Sequence, residues 1–486
     1  MRNLVAIWVL CCWVPAWAAT WYVDNAATGS RNGTSWANAW TNLNAIAGVA
    51  AGDTVFISGG STSKTYLDPY WVPAGGTDGN PITYKVGQDT GHNGVVIFDG
   101  SANVSWLYDA VKNVTISGDY AGLTNLVTTN CTGTPVHCDG AYKLTLDHVQ
   151  IYGEARFNPG TNLTLSHCLV RARAPNTYCV LFSAVGLTAS PTNNLIRNCT
   201  FQMPICSATP AWGSDGIKGG VSMTVVSNLF ETYGVANNTE FEHCDGLQNI
   251  GTGNNVRVHA NRFRNISNYA IYWEMQGSVS NAWFFNNLFD YTDASIASGL
   301  TLALSIGQRT AGSTISNLVV ANNTIVDHYG RAGITMGDDP GEANTWQNCL
   351  VANNLTVNSG PTAAIQISLT GGGTNGIGIL RNKAIAWTSG STNVTPSQLV
   401  YPTWNTNLLV AAYSPLSAVN DMRPASGDSS IRDDGFDLSA YFTTDAAGNT
   451  RSSPWDIGAY EYTEASASSG PTAVVGTASF GTLILR

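Results

Sequence analysis

Two stretches of this chain can be laid over one another, and that repeat limits its fold more than any other feature. Ser214-Asp215-Gly216-Ile217-Lys218-Gly219-Gly220 leads to Asn228-Leu229-Phe230, and Cys244-Asp245-Gly246-Leu247-Gln248-Asn249-Ile250 leads to Asn261-Arg262-Phe263. A third copy, Ala270-Ile271-Tyr272-Trp273-Glu274, has lost the Asp-Gly but leads to Asn287-Leu288-Phe289. Repeats of 20–50 residues mark solenoids, whose units bury their apolar faces only against their neighbours. These units are rich in Val, Ile, Thr, Asn and Gly and have no 3.6-residue period, so they predict strands. The expected fold is all-β: a single-stranded right-handed parallel β-helix.

A solenoid also overrides the length prior, under which 486 residues would make about three domains. The 44% hydrophobic content supplies a large core, and fifty glycines supply turns without a disordered composition. With a formal charge of −10 and only 22 Lys and Arg, the chain is a poor nucleic-acid binder. An acidic polymer remains a partner if the few cations cluster.

Residues 1–18 read as a secretory signal: Arg2 gives the positive end, 4–14 the apolar run, and Ala16-Trp17-Ala18 the cleavage site. That run is too short to span a membrane, and no second one of transmembrane length follows. The expected product is secreted and monomeric. Export permits disulfides. Cys131–Cys138 or Cys199–Cys206 is the expected loop-closing pair, and Cys168/Cys179 is another close pair; the other reading makes these cysteines small apolar residues stacked inside the coils.

The solenoid with its cap is assigned to 19–385. A short amphipathic helix at 35–46, carrying Trp36, Trp40, Leu43 and Ile46, is expected to cover the open end. The recurring asparagines Asn198, Asn228, Asn261, Asn287, Asn323 and Asn354 read as stacked turn residues without chemistry. Residues 386–462 hold irregular loops and a closing strand at 456–462 that returns to seal the end. Residues 463–486 form a linker and a short apolar tail.

Trp21-Tyr22-Val23-Asp24, Gly33-Thr34-Ser35-Trp36 and Gly52-Asp53-Thr54-Val55 resemble the entry segment of secreted bacterial parallel β-helix proteins of the pectate-lyase-like superfamily. Tyr441-Phe442-Thr443, Asp445, Gly448, Arg451 and Asp456-Ile457-Gly458-Ala459-Tyr460-Glu461-Tyr462 resemble its closing segment. Together they bracket roughly residues 20–462. The resemblance implies action on carbohydrate, and many members are polysaccharide lyases. Asp215-Gly216-Ile217-Lys218 with Asn228-Leu229-Phe230 is similar to the Lys-bearing coil of alginate lyases related to chondroitinase B, without their Glu-rich run before the lysine.

Strand alternation places candidate chemistry. If Ile217, Leu247 and Ile271 point inward, Lys218, Gln248 and Tyr272 form one outward column, with Glu274 in the next. Glu240, Glu242, His243 and Asp245 crowd six residues, and Arg257, His259, Arg262 and Arg264 follow. The expected groove joins Lys218, Asp245, Arg257, His259 and Tyr272 along the strands. For β-elimination on a uronate chain, the lyase resemblance implies a base, a proton donor and a neutralised carboxylate. Lys218, His259 and Tyr272 are the catalytic candidates, Lys218 as base if neighbouring cations or partial burial lower its pKa. Arg257, Arg262 and Arg264, with Gln248 and Glu274, are the substrate-binding candidates. Asp215, Glu240, Glu242 and Asp245 would supply Ca²⁺ ligands.

Two further readings stay open. A glycoside hydrolase would use paired carboxylates, with Asp215, Asp245 and Glu274 as the candidates. A non-catalytic glycan-binding solenoid would rely on exposed aromatic residues. Asp339-Pro340-Gly341-Glu342 also resembles the Asp-Pro motif of β-helix uronate epimerases.

Overall fold

A computed structural model describes residues 18–100, 105–173, 178–182, 192–204, 214–219, 222–233, 244–251, 253–266, 268–291, 302–326, 332–339, 341–357, 363–369, 376–385, 399–400, 422–424 and 430–463. The chain winds through three columns of parallel strands. One coil runs Ile217–Lys218 on the first face, Met223–Val226 on the second and Leu229–Tyr233 on the third. It returns to the first face as Leu247–Gly251. Val136–Asp147 runs through the first and second faces without a break. The architecture is a parallel β-helix. Its third face extends past residue 385, because Leu399–Val400 pairs with Asn382 and Lys383.

The predicted register holds: Ile217 lies opposite Leu247 and Lys218 opposite Gln248. Leu247 then lies opposite Ile271, and Gln248 opposite Tyr272. The Asn-x-Phe motif makes two internal stacks. Phe201, Phe230, Phe263 and Phe289 lie ring on ring at centroid spacings of 4.8, 4.7 and 5.2 Å. Such aromatic pairs add about 0.5–1.5 kcal/mol each beyond the area they bury. Beside them the buried Asn228, Asn261, Asn287, Asn323, Asn354 and Asn382 form an amide ladder. The Asn228 side chain, for example, donates to Asn261 Oδ1 at 2.9 Å and to the Ile196 carbonyl at 3.0 Å.

Asn198 is not part of this ladder; Cys168 and Cys199 take its place in the earlier coils, and the Cys199 amide donates to Asn228 Oδ1 at 2.8 Å. Nor do the ladder residues carry the left-handed backbone. That belongs to the preceding residue of each corner: His167, Asn198, Ser227, Ala260, Asn286, Asn322 and Asn353, with φ of 51–56°. Two residues therefore turn the chain from the second face to the third, one bent and one bonded. The variable repeat length falls elsewhere: Arg262–Arg264 and Tyr269–Met275 are separated by four residues, Leu288–Asp290 and Leu302–Gln308 by eleven.

Three expectations change. The helix at 35–46 is only a single 3₁₀ turn, Leu43–Ala45. Asn32 and Asn38 side chains accept the backbone amides of Thr34 and Ser30, competing with helical bonding, and Trp40 bridges Val23 and stacks on Trp21 at 5.3 Å. The cap function stays, built from irregular chain. Among the described residues all seven cysteines are thiols, which removes the Cys131–Cys138 disulfide. Both thiols are buried, but Cys131 follows the third-face strand Leu126–Thr129 and donates to the Thr129 carbonyl, whereas Cys138 belongs to Val136–Asp147. Cys206 lies outside the described residues. Finally, 456–462 is not a strand across the end. Residues 430–463 lie along the flank: Asn286, Asn322 and Asn353 donate to the carbonyls of Thr444, Asp456, Gly458 and Phe436.

Candidate functional site

The outer side of the first face carries a row in continuous register that is polar or aromatic except at Leu181. Tyr108 lies opposite His137, His137 opposite Arg156, Arg156 opposite Leu181, and Leu181 opposite Lys218. Gln248 and Tyr272 continue it, followed by Ser305, Thr335 and Gln366. Six coil steps of about 4.8 Å place Tyr108 and Tyr272 about 29 Å apart along the axis. Alternation creates this row: in Tyr269–Met275 the side chains of Ile271, Trp273 and Met275 fill the core, so Tyr272 faces out.

The densest chemistry surrounds Tyr272. Its hydroxyl donates to Glu274 Oε1 in a short hydrogen bond. Arg309 Nη2 donates to the Tyr272 oxygen at 2.6 Å and lies 2.5 Å from Glu274 Oε1, while Arg309 Nε lies 3.3 Å from Asp339 Oδ2. The coils beyond Glu274 carry Gly307 and Gly337 in register with it, so no side chain fills the space into which Arg309 and Asp339 fold. Gln308 fixes the turn that carries Arg309, donating to the Gly277 carbonyl and accepting the Thr310 amide. Tyr269 stacks on Tyr272 at 4.4 Å.

Electrostatics keep the protons on this cluster. Burial and the Glu274 charge push the Tyr272 phenol well above its ordinary value. Lys218 is raised: partial burial works to lower it, but Asp215 at 3.5 Å and the Tyr178 ring at 4.8 Å outweigh that effect. The condition for Lys218 to act as a base, a lowered pKa, is not met in this environment. It is a cation held in place.

Arg257 and His259 do not join the groove. Both stand on the second face, because the turn after Gly251 carries the chain around a corner before Val256–His259 begins. The Arg257 guanidinium lies 3.4 Å above the Trp283 ring and donates to the Val256 and Asn281 carbonyls. His259 stacks on Phe285 at 4.6 Å, and burial, reinforced by Arg257, pushes it down to about 4. Arg262 and Arg264 belong to the third face, where Arg262 is buried and pairs with Asp290 at 2.5 Å.

Asp215 and Asp245 are buried at the start of their coils, not in the groove. Asp215 Oδ1 accepts the Asp245 amide at 3.1 Å, and Asp245 Oδ1 accepts the Tyr269 amide at 3.0 Å and Asn268 Nδ2 at 2.8 Å. Each carboxylate ties one coil to the next, and burial raises both pKa values. Glu240 and Glu242 lie outside the described residues. In the described part of the expected calcium set, one oxygen of each carboxylate is thus taken by a backbone amide of the next coil, and Asp215 Oδ2 faces Lys218.

Of the sequence candidates, Lys218, Gln248, Tyr272 and Glu274 share the first face. Arg309 and Asp339 were missed as its members. The available signal was alternation through Leu302–Gln308, which ends one coil beyond Glu274; Arg309 itself sits in a turn, where parity gives no direction. Tyr108, His137 and Arg156 were missed because no Asp-Gly stands three residues ahead of them, as it does for Lys218 and Gln248; the Asp139-Gly140 of the His137 coil falls after the outward residue, out of that alignment.

No protein-family model matches the chain, and no curated protein matches it. Among solved structures it is similar to the pectate lyase Pel9A, at 14% identity over 92% of this chain and 96% of that one, with a TM-score of 0.40. A mannuronic acid specific family 6 polysaccharide lyase from human gut microbiota shares 15% identity over 74% and 87%, at 0.42. XylC, solved with xylose, shares 9% over 91% and 98%, at 0.46. Likenesses this distant concern the solenoid and say nothing of the chemistry on its surface.

Proposed function

We propose that this chain is a secreted carbohydrate-active protein that binds an acidic polysaccharide along its first face and cleaves it by β-elimination. The observation that carries the reading is the Tyr272–Glu274–Arg309 cluster on the outward row that also holds Lys218, Arg156 and Tyr108. An extended anionic chain lying along the axis meets aromatic rings and cations over successive coils, each cation held in place by a carboxylate: Arg156 by Glu154, Lys218 by Asp215, and Arg309 by Glu274 and Asp339.

At the reacting sugar, Arg309 neutralises the uronate carboxylate, which lets charge build up when the neighbouring carbon loses its proton. Lys218, two coil steps or about 10 Å away along the axis, meets the carboxylate of another sugar of the chain. Tyr272 is held protonated and so serves as donor to the leaving oxygen. When its hydroxyl turns from Glu274 toward that oxygen, Glu274 loses one hydrogen-bond donor and becomes the carboxylate in reach to accept the sugar's proton. No step runs through a metal ion. The glycoside-hydrolase reading loses two of its three carboxylates, since Asp215 and Asp245 bond the coils together.

The test is to incubate the protein with a panel of uronate polysaccharides and follow ultraviolet absorbance of unsaturated ends. The expected result is product from at least one substrate, lost by a factor of about 10² or more in Tyr272→Phe and Arg309→Ala. Saturated reducing ends without absorbance would move the assignment to hydrolysis. Absence of any cleavage, with glycan binding unaffected by both substitutions, would sink the proposal.

A further inference from the structure

At the corner between the second and third faces, far around the coil from Tyr272, two histidines meet one aspartate. Asp147 ends Val136–Asp147, and His148 is the left-handed residue of that corner (φ 52°). His167 holds the same position one coil later (φ 52°), and the two rings stack at 4.5 Å. Asp147 Oδ2 lies 2.9 Å from His148 Nδ1, and Asp147 Oδ1 lies 3.1 Å from His167 Nδ1. Ser117 and Ser166, in register with Asp147 on either side, donate to its two oxygens at 3.1 and 2.7 Å.

We propose that Asp147, His148 and His167 bind a divalent late first-row transition metal ion, Zn²⁺ being the representative, and that the ion staples two successive coils. The ligand types suit such ions: two imidazole nitrogens and one carboxylate, each of whose oxygens faces one ring. One ligand atom from each residue lies within 4.8 Å of the others. Two atoms bonded at about 2.1 Å to one ion and separated by 2.9–3.1 Å subtend roughly 90° at it, an angle open to zinc with water in its remaining positions.

The surroundings also fit. The two serines orient the carboxylate, as outer partners of metal ligands do. The Asn198 amide, in the next corner, lies 3.2 Å from His167 Nε2. When the ion takes Nδ1, the ring hydrogen moves to Nε2, and the same amide turned over presents its oxygen to accept it. The His167 side chain is 42% exposed, which gives the ion an entry path. Equivalent corners in later coils carry Asn286, Asn322 and Asn353, which hold the 430–463 segment instead. The same backbone device therefore presents side chains outward in both regions.

The experiment is calorimetric titration of the metal-stripped protein with Zn²⁺, beside the His148→Gln/His167→Gln double variant. One strong site is expected in the parent, weakened at least tenfold in the variant, and zinc should raise Tm in the parent alone. Equal zinc uptake by both proteins would overturn the proposal, as would no uptake by the parent. If the double variant does not fold, Cu²⁺-loaded parent protein decides. Electron paramagnetic resonance should show coupling to two imidazole nitrogens, and an oxygen-only spectrum would refute the site. The readouts are independent of polysaccharide cleavage, so this proposal and the proposed activity fail separately.

Discussion

The first and second faces of this solenoid are built alike and finished differently. Both alternate apolar residues inward, and both pair in continuous parallel register. On the second face, however, the outward positions Phe285, Val319, Ala321, Leu350 and Ala352 are themselves apolar, and Leu438, Phe442 and Trp455 of the C-terminal segment cover them. On the first face the corresponding positions are Lys218, Gln248, Tyr272, Ser305 and Thr335. The lesson is that a strand's outward residues are not all surface. The same parity that sets Tyr272 in the open row sets Phe285, Val319 and Leu350 under a distant segment that folds back over one face, and His259 stacks beside them on Phe285. Basic residues of neighbouring coils, Lys218 and Arg257, therefore end in different environments.

Substitutions under the cover test this contrast most severely. Arg451 is fully buried and donates to Glu461 at 3.0 Å, to Asn286 at 2.9 Å, and to the Gly458 and Ala459 carbonyls. Arg451→Ala should cost about 3–5 kcal/mol, since it leaves a buried carboxylate without its partner. Chemical denaturation measures this, and a loss under 1 kcal/mol would mean that the 430–463 segment is only loosely seated.

Asn287→Ala should follow closely. It strips partners from Asn261, Asn323 and the Val258 carbonyl, for a total of roughly 3 kcal/mol. An equal loss of stability in Asn198→Ala would erase the distinction between ladder and corner residues.

On the open face the effect should fall on activity. Arg309→Ala should reduce turnover about 10²-fold, equivalent to about 2.7 kcal/mol of barrier, with Tm nearly unchanged. A large fall in Tm instead would mark the Tyr272–Glu274–Arg309 cluster as structural.

The smallest effect concerns pH. His259 has a folded pKa of about 4 against about 6.5 when unfolded, so the unfolded chain takes up the proton first. Its contribution to stability is complete above pH 6.5 and is lost as pH falls toward 4. His259→Gln should flatten the dependence of Tm in that window relative to the parent; identical slopes would contradict its burial.

The sequence by itself determined the solenoid, its strand type and its register. Period-2 alternation and the Asn-x-Phe motif are local, and stacking like on like needs only that each coil repeat the last. Hence Lys218, Gln248 and Tyr272 were placed in one row from spacing alone. The tertiary structure decided what each outward residue meets. Asp215 and Asp245 looked like ligands in sequence, yet their carboxylates are used by backbone amides of the next coil. Arg309 reaches Tyr272 from a turn whose direction no periodicity encodes. Arg257 and His259 were separated from Lys218 by one corner, and the rings they rest on, Trp283 and Phe285, pack against Tyr441 and Phe442 of a segment more than 150 residues further along the chain. Periodicity reports which way a side chain leaves its own strand; which neighbour waits there depends on contacts made by distant parts of the chain, and those leave no period to read.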